Sequence, residues 1–221
     1  MWTDIRPFGR NALIIEWTPQ ICYDHLREIS SLVQFLLLER QDLFLDIVPA
    51  YHSLTLIFRN EVIGHVEIVG LLEQYQSVFK SNKTNDKLPT TWSIPVTYGN
   101  ENDKDMSALI KYTGLTRDHI IDIHTSGEYT VYFLGFLPGF LYLGGLDDKL
   151  CIPRKSVPDR FIPKGAVAIG GKQTGIYPQD SPGGWYVIGQ TSFPLIDFYI
   201  APYCAIKPGD LIKFEAVDLL V

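Results

Sequence analysis

Positive charge is in short supply in this chain of 221 residues: 19 Lys and Arg stand against 25 Asp and Glu, giving a formal net charge of -6 at pH 7 and a pI near 5.3. A sequence-independent grip on phosphate backbones needs clustered Lys and Arg, so nucleic acid is excluded as a partner class. Cysteine is equally sparse. Cys22, Cys151 and Cys204 are odd in number and far apart, which leaves neither a disulfide framework nor a CxxC metal or redox pair. Reduced thiols in a cytosolic protein are the expectation. No apolar run approaches the ~20 residues of a membrane span, and the start, MWTDIRPFGRNALIIEW, lacks a basic segment followed by an apolar core. A soluble, cytoplasmic chain with no membrane partner is expected.

The familiar catalytic signatures are also missing. Gly171-Lys172-Gln173-Thr174 resembles the end of a phosphate loop, but Ala166 stands where that loop needs its first glycine, and Gln173 follows the Lys in place of Ser or Thr. Ser181 lies in a glycine-rich turn, yet Gln179 replaces the first Gly of GxSxG and Pro182 opposes the helix that should follow a nucleophile. There is no HExxH, and the five histidines are too dispersed for a local metal site. Glu101-Asn-Asp-Lys-Asp105 lacks the spacing and glycine of a calcium loop and reads as a solvated surface loop.

The pattern of what is present divides the chain. Lys80 to Thr91 is polar and carries Pro89, a composition that cannot offset the entropy of ordering, so a linker is placed over 81–91 between domains at 1–80 and 92–221. In the first domain, Asn11–Trp17 reads as a strand and Cys22–Arg40 as a helix with apolar spacing at Leu26, Ile29, Leu32, Val33 and Leu36. Leu45–Tyr51 and Ser53–Arg59 read as a strand pair, and Val66–Phe79 as a second helix. That order predicts a small ferredoxin-like split α/β domain. In the second domain, Trp92–Tyr98, Tyr129–Leu134, Ala166–Gly170, Trp185–Ile188 and Asp210–Glu215 are short strand candidates punctuated by Gly and Pro. Helices are predicted over Met106–Tyr112 and Arg117–His124, the second capped by Thr116. Short strands with Gly/Pro-rich connections predict a β-barrel, so the fold class is α+β.

Aromatic residues, glycines and polar groups concentrate between Tyr132 and Trp185. Pro138-Gly139 suits the centre of a type II turn, with Gly139 at positive φ. Gly144-Gly145 and Gly183-Gly184 allow close backbone approach. Phe136, Leu137, Phe140, Leu141 and Tyr142 are too many apolar side chains for an ordinary exposed loop and mark a groove or a partner surface; Phe136, Phe140, Tyr142 and Trp185 are the interface candidates. His124 is the candidate for proton transfer, unless it is a packed structural residue beside Ile121 and Ile123. Arg154, with Lys155, follows Pro153 in a loop and suits a carboxylate or phosphate. Gln173, Thr174 and Tyr177 suit an amide or lactam, or else cap a turn. Positions dispersed along a barrel can converge at one rim, and His124, Arg154, Gln173 and Tyr177 are predicted to surround one concave site.

Four blocks carry a resemblance: Leu134-GFLPGFLYLGGLD-Asp148, Ile152-PRK-Ser156, Ile169-GGKQTGIYP-Gln179 and Ser181-PGGWYVIGQT-Ser192. In this order they are similar to the signature blocks of the 5-oxoprolinase B-subunit family (PxpB), also called KipI or allophanate hydrolase subunit 1; Val48-PAYHS-Leu54 resembles its strand-pair signature. Leu141, Gln190 and Ser192 depart from that pattern, where proline, arginine and proline are usual. The resemblance implies a ferredoxin-like domain followed by a cyclophilin-like β-barrel. It also implies one component of a heteromeric enzyme that opens 5-oxo-L-proline to L-glutamate, working beside subunits A and C. ATP with Mg2+ would be shared with a partner subunit, and the lone chain would be inactive. The KipI name carries an alternative, a regulatory protein that binds and inhibits a sensor histidine kinase. The allophanate or urea-carboxylase reading is a third, weakened by the lack of a biotin or amidase segment.

Overall fold

Apolar side chains alternate along Ser53–Phe58, with Leu54, Leu56 and Phe58 buried and Ser53, Thr55 and Ile57 turned outward, the period of a strand with one face on a core. The computed structural model describes residues 1–81, 89–200 and 202–218. They fall into two compact units, Met1–Leu88 and Pro89–Val221. Of the expected linker, residues 82–88 lie outside the described residues.

The first unit runs β1 (Asp4–Pro7), β2 (Ala12–Glu16), α1 (Tyr23–Arg40), β3 (Phe44–Pro49), β4 (Ser53–Phe58) and α2 (Glu61–Ser81). Its sheet has the order β1-β2-β4-β3 and every pairing is antiparallel. Leu26, Ile29, Leu32 and Leu36 form the buried stripe of α1; Ile68, Leu71, Leu72 and Tyr75 do the same for α2. The arrangement is a split βαββα layer in which β1 takes the edge beside β2. The sequence reading contains no β1, for a physical reason: all four of its residues are exposed and one is proline, so it lacks the alternation that reports a half-buried strand.

The second unit contains β5 (Thr91–Tyr98), α3 (Lys104–Thr113), α4 (Arg117–Ser126), β6 (Tyr129–Leu134), β7 (Leu141–Gly144), β8 (Asp159–Ile162), β9 (Ala166–Gly170), β10 (Gln173–Ile176), β11 (Ser181–Gly183), β12 (Tyr186–Gln190) and β13 (Leu211–Ala216). Seven strands close a barrel in the order β10-β7-β6-β13-β5-β12-β9, while β8 and β11 form a separate pair. Strands β5 and β13 run parallel; the other barrel pairings are antiparallel. Inward-facing Ile94, Val96, Val131, Leu143, Ile169 and Phe214 meet Met106, Leu109 and Ile120 from the helices in one core. Thr116 Oγ1 accepts from the His119 backbone N–H at 3.2 Å, the expected cap of α4. Strand β9 is buried along its whole length because its other face is covered too: Ala166 and Ala168 lie under Phe140, Ile162, Tyr177 and Trp185.

The connection from β6 to β7 holds two tight turns in series. Leu137 N–H donates to Gly135 O at 2.8 Å around Phe136, whose φ is +67°, and Phe140 N–H donates to Leu137 O at 3.0 Å around Pro138-Gly139. Gly139 has φ +79°, as the Pro-Gly pair predicts, and a Cβ there would stand 3.1 Å from Ile196 Cβ. Gly139→Ala therefore meets backbone strain and a close contact together. It should cost on the order of 1 kcal/mol or more. Chemical denaturation checks this: a lowered midpoint is expected, and an unchanged midpoint contradicts the turn assignment.

Candidate functional site

Strand β10 divides the expected site residues between two environments. Successive side chains of a strand point to opposite faces. Thr174 and Ile176 are turned into the barrel, so Gln173 and Gly175 are turned outward. The single concave site expected for His124, Arg154, Gln173 and Tyr177 is thus corrected. His124 and Thr174 belong to the interior, whereas Arg154, Gln173 and Tyr177 belong to the outer face.

On the outer face Trp185 lies flat against the barrel. A Cβ added to Gly170 would stand 2.4 Å from its Cδ1, and one added to Gly175 would stand 3.1 Å from its Cζ3. Gly170 is the cross-strand partner of Gln173 and Gly175 the next outward position, so Gln173 shares this face with the indole. Arg154 sits over the other side of the ring, 5.5 Å from guanidinium carbon to centroid. Its charge reaches the phenols of Tyr142 and Tyr177, opposing the upward push of burial on both; Tyr177 is held up at about 12. Phe140 packs edge-on against Trp185 and Tyr177 at 5.6 and 5.1 Å. Among the described residues Arg154 has no carboxylate at ion-pair distance, and it is exposed. The result is an unpaired guanidinium, a nearly buried amide and phenols on an aromatic floor. This combination suits a small ligand bearing a carboxylate and an amide. A larger cleft of about 1040 Å³ adjoins it through Tyr177, lined also by Thr97, Lys164, Gln190, Ser192 and Phe193.

Two expectations about surfaces change. Phe140 and Trp185 are buried, at 2% and 4% exposure, so they floor the site and are not exposed partner anchors; Tyr142 is half-buried. Of the four interface candidates only Phe136 is exposed, at 62%, where the positive-φ turn holds it above Phe140. The run Glu101–Asp105 is not solvated throughout. Its last residue is buried against Lys155, with Asp105 Oδ2 2.6 Å from the ammonium. A polar run with helical spacing after it gives no signal for that burial, because the partner lies 50 residues away.

His124 projects from α4 into the barrel and is fully buried. Thr174 Oγ1 donates to Ala168 O at 3.1 Å, so it accepts from His124 Nε2–H at 2.9 Å; Nδ1 then accepts from Tyr98 O–H at 2.6 Å. The ring stacks on Phe214 at 4.5 Å. Both ring nitrogens are satisfied internally, which removes His124 and Thr174 from contact with a ligand and corrects their expected catalytic and substrate-binding roles. Burial pushes the imidazole down to about 3, and it pushes the Tyr98 and Tyr129 phenols up. Unfolded, the same ring protonates near 6.5, so between these values the unfolded chain binds the extra proton. Stability from this group is complete above about pH 6.5 and is lost as pH falls toward about 3, by up to about 1.4 kcal/mol per pH unit. Unfolding measured across this window should show a steeper acid decline for the parent than for His124→Gln. Parallel declines would contradict a neutral buried imidazole.

Comparison with known proteins agrees with this architecture. Residues 3–206 match the family described as carboxyltransferase domain, subdomain C and D. The chain is 36% identical over 218 residues to the 5-oxoprolinase B-subunit of Haemophilus influenzae, covering 98% of this chain and 100% of that one. It is 33% identical over 206 residues to the 5-oxoprolinase B-subunit of Escherichia coli O157:H7, covering 93% and 92%. The crystal structure of TTHA0988 superposes with a TM-score of 0.80 at 29% identity over 94% of this chain, which spans 39% of that longer chain. On these matches and on the barrel they share, the chain belongs to the 5-oxoprolinase B-subunit family, within the carboxyltransferase subdomain C and D fold.

Proposed function

We propose that this chain is the component of an ATP-dependent 5-oxoprolinase that holds 5-oxo-L-proline on the outer face of its barrel, in a complex with subunits A and C. The unpaired guanidinium of Arg154 beside the outward amide of Gln173 carries the reading, because 5-oxo-L-proline is a carboxylate attached to a cyclic amide. Arg154 takes the carboxylate in two parallel hydrogen bonds. Gln173 offers the donor and acceptor that complement a lactam, and Tyr177 and Tyr142 border the ring. The lactam is a resonance-stabilised amide. Phosphorylation of its carbonyl oxygen by ATP, with release of ADP, would activate the carbon to add water; the ring C–N bond would then break with the nitrogen leaving as the amine, and hydrolysis of the acyl phosphate would free phosphate and L-glutamate. Such a step asks the protein for positioning and charge stabilisation more than for a nucleophile.

The described residues do not fit Mg-ATP by themselves. Gly171-Lys172 forms the two-residue hairpin between β9 and β10, with Gly171 at φ +65°, and is not the strand-to-helix loop that cradles phosphates. Among the described residues no three carboxylate, imidazole or thiol groups converge to hold a metal ion. We assign the nucleotide to a partner subunit, with Phe136 as an exposed contact on this side. Among the described residues no helix is long and apolar enough to cross a membrane.

The test is ATP-dependent glutamate release from 5-oxoproline by the chain alone and by the chain assembled with its partner subunits. The lone chain should show negligible turnover and the complex robust turnover. In the complex, Arg154→Ala should raise KM for 5-oxoproline by about tenfold or more, the scale of a lost charge-assisted hydrogen-bond pair. Full turnover by the lone chain would remove the shared-site reading, and an unchanged KM would remove Arg154 from the substrate.

A further inference from the structure

The loop that carries Arg154 is tied down on both sides of it. Lys155 N–H donates to Gly184 O at 2.8 Å, which ties the residue after Arg154 to the residue before Trp185. Ile152, two residues earlier, exchanges backbone hydrogen bonds with Gly171 at 3.3 and 2.7 Å, at the hairpin that leads into Gln173. Pro153 fixes φ between these ties. Consecutive side chains on an extended segment diverge, so the one that turns inward sets the other outward.

Lys155 is the inward one. Its ammonium lies 2.6 Å from Asp105 Oδ2, pairs with Asp159 Oδ2 as well, and sits 5.1 Å from the centroid of the Tyr186 ring. Asp105 Oδ2 also accepts from the Val187 backbone N–H at 2.8 Å. One carboxylate oxygen from the first turn of α3 thereby joins the loop that carries Arg154 to β12, the strand that follows Trp185. The other oxygen, Oδ1, is buried with no hydrogen-bond partner among the described residues. A buried ion pair gains little net stability over an apolar pair, and this one leaves an acceptor unsatisfied, so its contribution is a fixed geometry more than stability. The contact ties the 152–155 loop to α3 and β12 beside Trp185.

We propose that Asp105, acting through Lys155, is the positioning residue that holds Arg154 over Trp185 to receive the substrate carboxylate. The proposal rests on the preceding reading of Arg154 as the carboxylate ligand, and the experiment separates the two. In the assembled complex, KM and kcat for 5-oxoproline are measured for Asp105→Asn, Arg154→Ala and the double variant, with thermal unfolding of each. Asp105→Asn should raise KM by about tenfold while kcat stays within about twofold, because a displaced guanidinium weakens binding without touching the reacting atoms. In the Arg154→Ala background the same substitution should change KM by less than about twofold, since the group it positions is gone. An equal rise in both backgrounds, or no rise in either, overturns the positioning role. If Arg154→Ala itself leaves KM unchanged, the carboxylate assignment fails and the brace with it; if Arg154→Ala raises KM and Asp105→Asn does not, the brace alone fails. Should Asp105→Asn not assemble, Asp105→Glu keeps the charge and shifts it by one methylene. A raised KM in that variant that vanishes without Arg154 supports the proposal, and parent-like KM overturns it.

Discussion

A fully buried, neutral imidazole joins a helix to three strands of the barrel. His124 reaches from α4 to Tyr98 on β5, Thr174 on β10 and Phe214 on β13, strands drawn from both sides of the closed order. Because the ring is fully buried, each nitrogen must be satisfied by protein, and an unsatisfied one would cost on the order of 1–3 kcal/mol. That requirement fixes the tautomer, the phase of β10 and the inward turn of Thr174 at once. The phase of β10 in turn sends Gln173 outward. The position of the candidate substrate amide follows from the burial of a histidine on the far side of the strand.

The outer face obeys a complementary constraint. An aromatic ring lies flat on a sheet only where the strands beneath it have no side chains, and Gly170 and Gly175 supply that floor for Trp185. The greasy, glycine-broken stretch from Leu134 to Leu146 makes sense in the same terms. Phe140 and Tyr142 fill the space that the glycines of β9 and β10 leave open, while Phe136 remains outside on its strained turn. Glycine and aromatic residues are paired across strands and are not separate features of an irregular loop. On this hard floor a guanidinium and an amide share one face, with Lys155 and Asp105 behind the loop that carries Arg154, and such support is the condition for orienting a small ligand.

Much of this is legible in the sequence where a local pattern carries it. The helix cap at Thr116, the alternation in Ser53–Phe58, the Pro138-Gly139 turn and the order of two α/β and barrel units all arise from neighbours in the chain. What the sequence hides depends on distant contacts. Strand β10 is absent from the strand candidates because it is short and its outward face holds a glycine that lies under Trp185, so it lacks the alternation that reports a strand. Phe140 and Trp185 read as exposed anchors because composition cannot tell a ring at a surface from a ring pressed onto glycine. His124 stands out in the sequence, but its partners come from positions 98, 174 and 214, and no spacing rule joins them. Asp105 is concealed in a polar run for the same reason.

The proposed receiver of the substrate is the outer face, not the barrel interior or the adjoining cleft. A crystal structure of the assembled complex with 5-oxo-L-proline tests it most directly. The ligand carboxylate is expected on the Arg154 guanidinium, the lactam against Gln173 and Trp185, and an unaltered Tyr98–His124–Thr174 chain beneath. Ligand bound beside Lys164 and Gln190, or contacting His124, would contradict it.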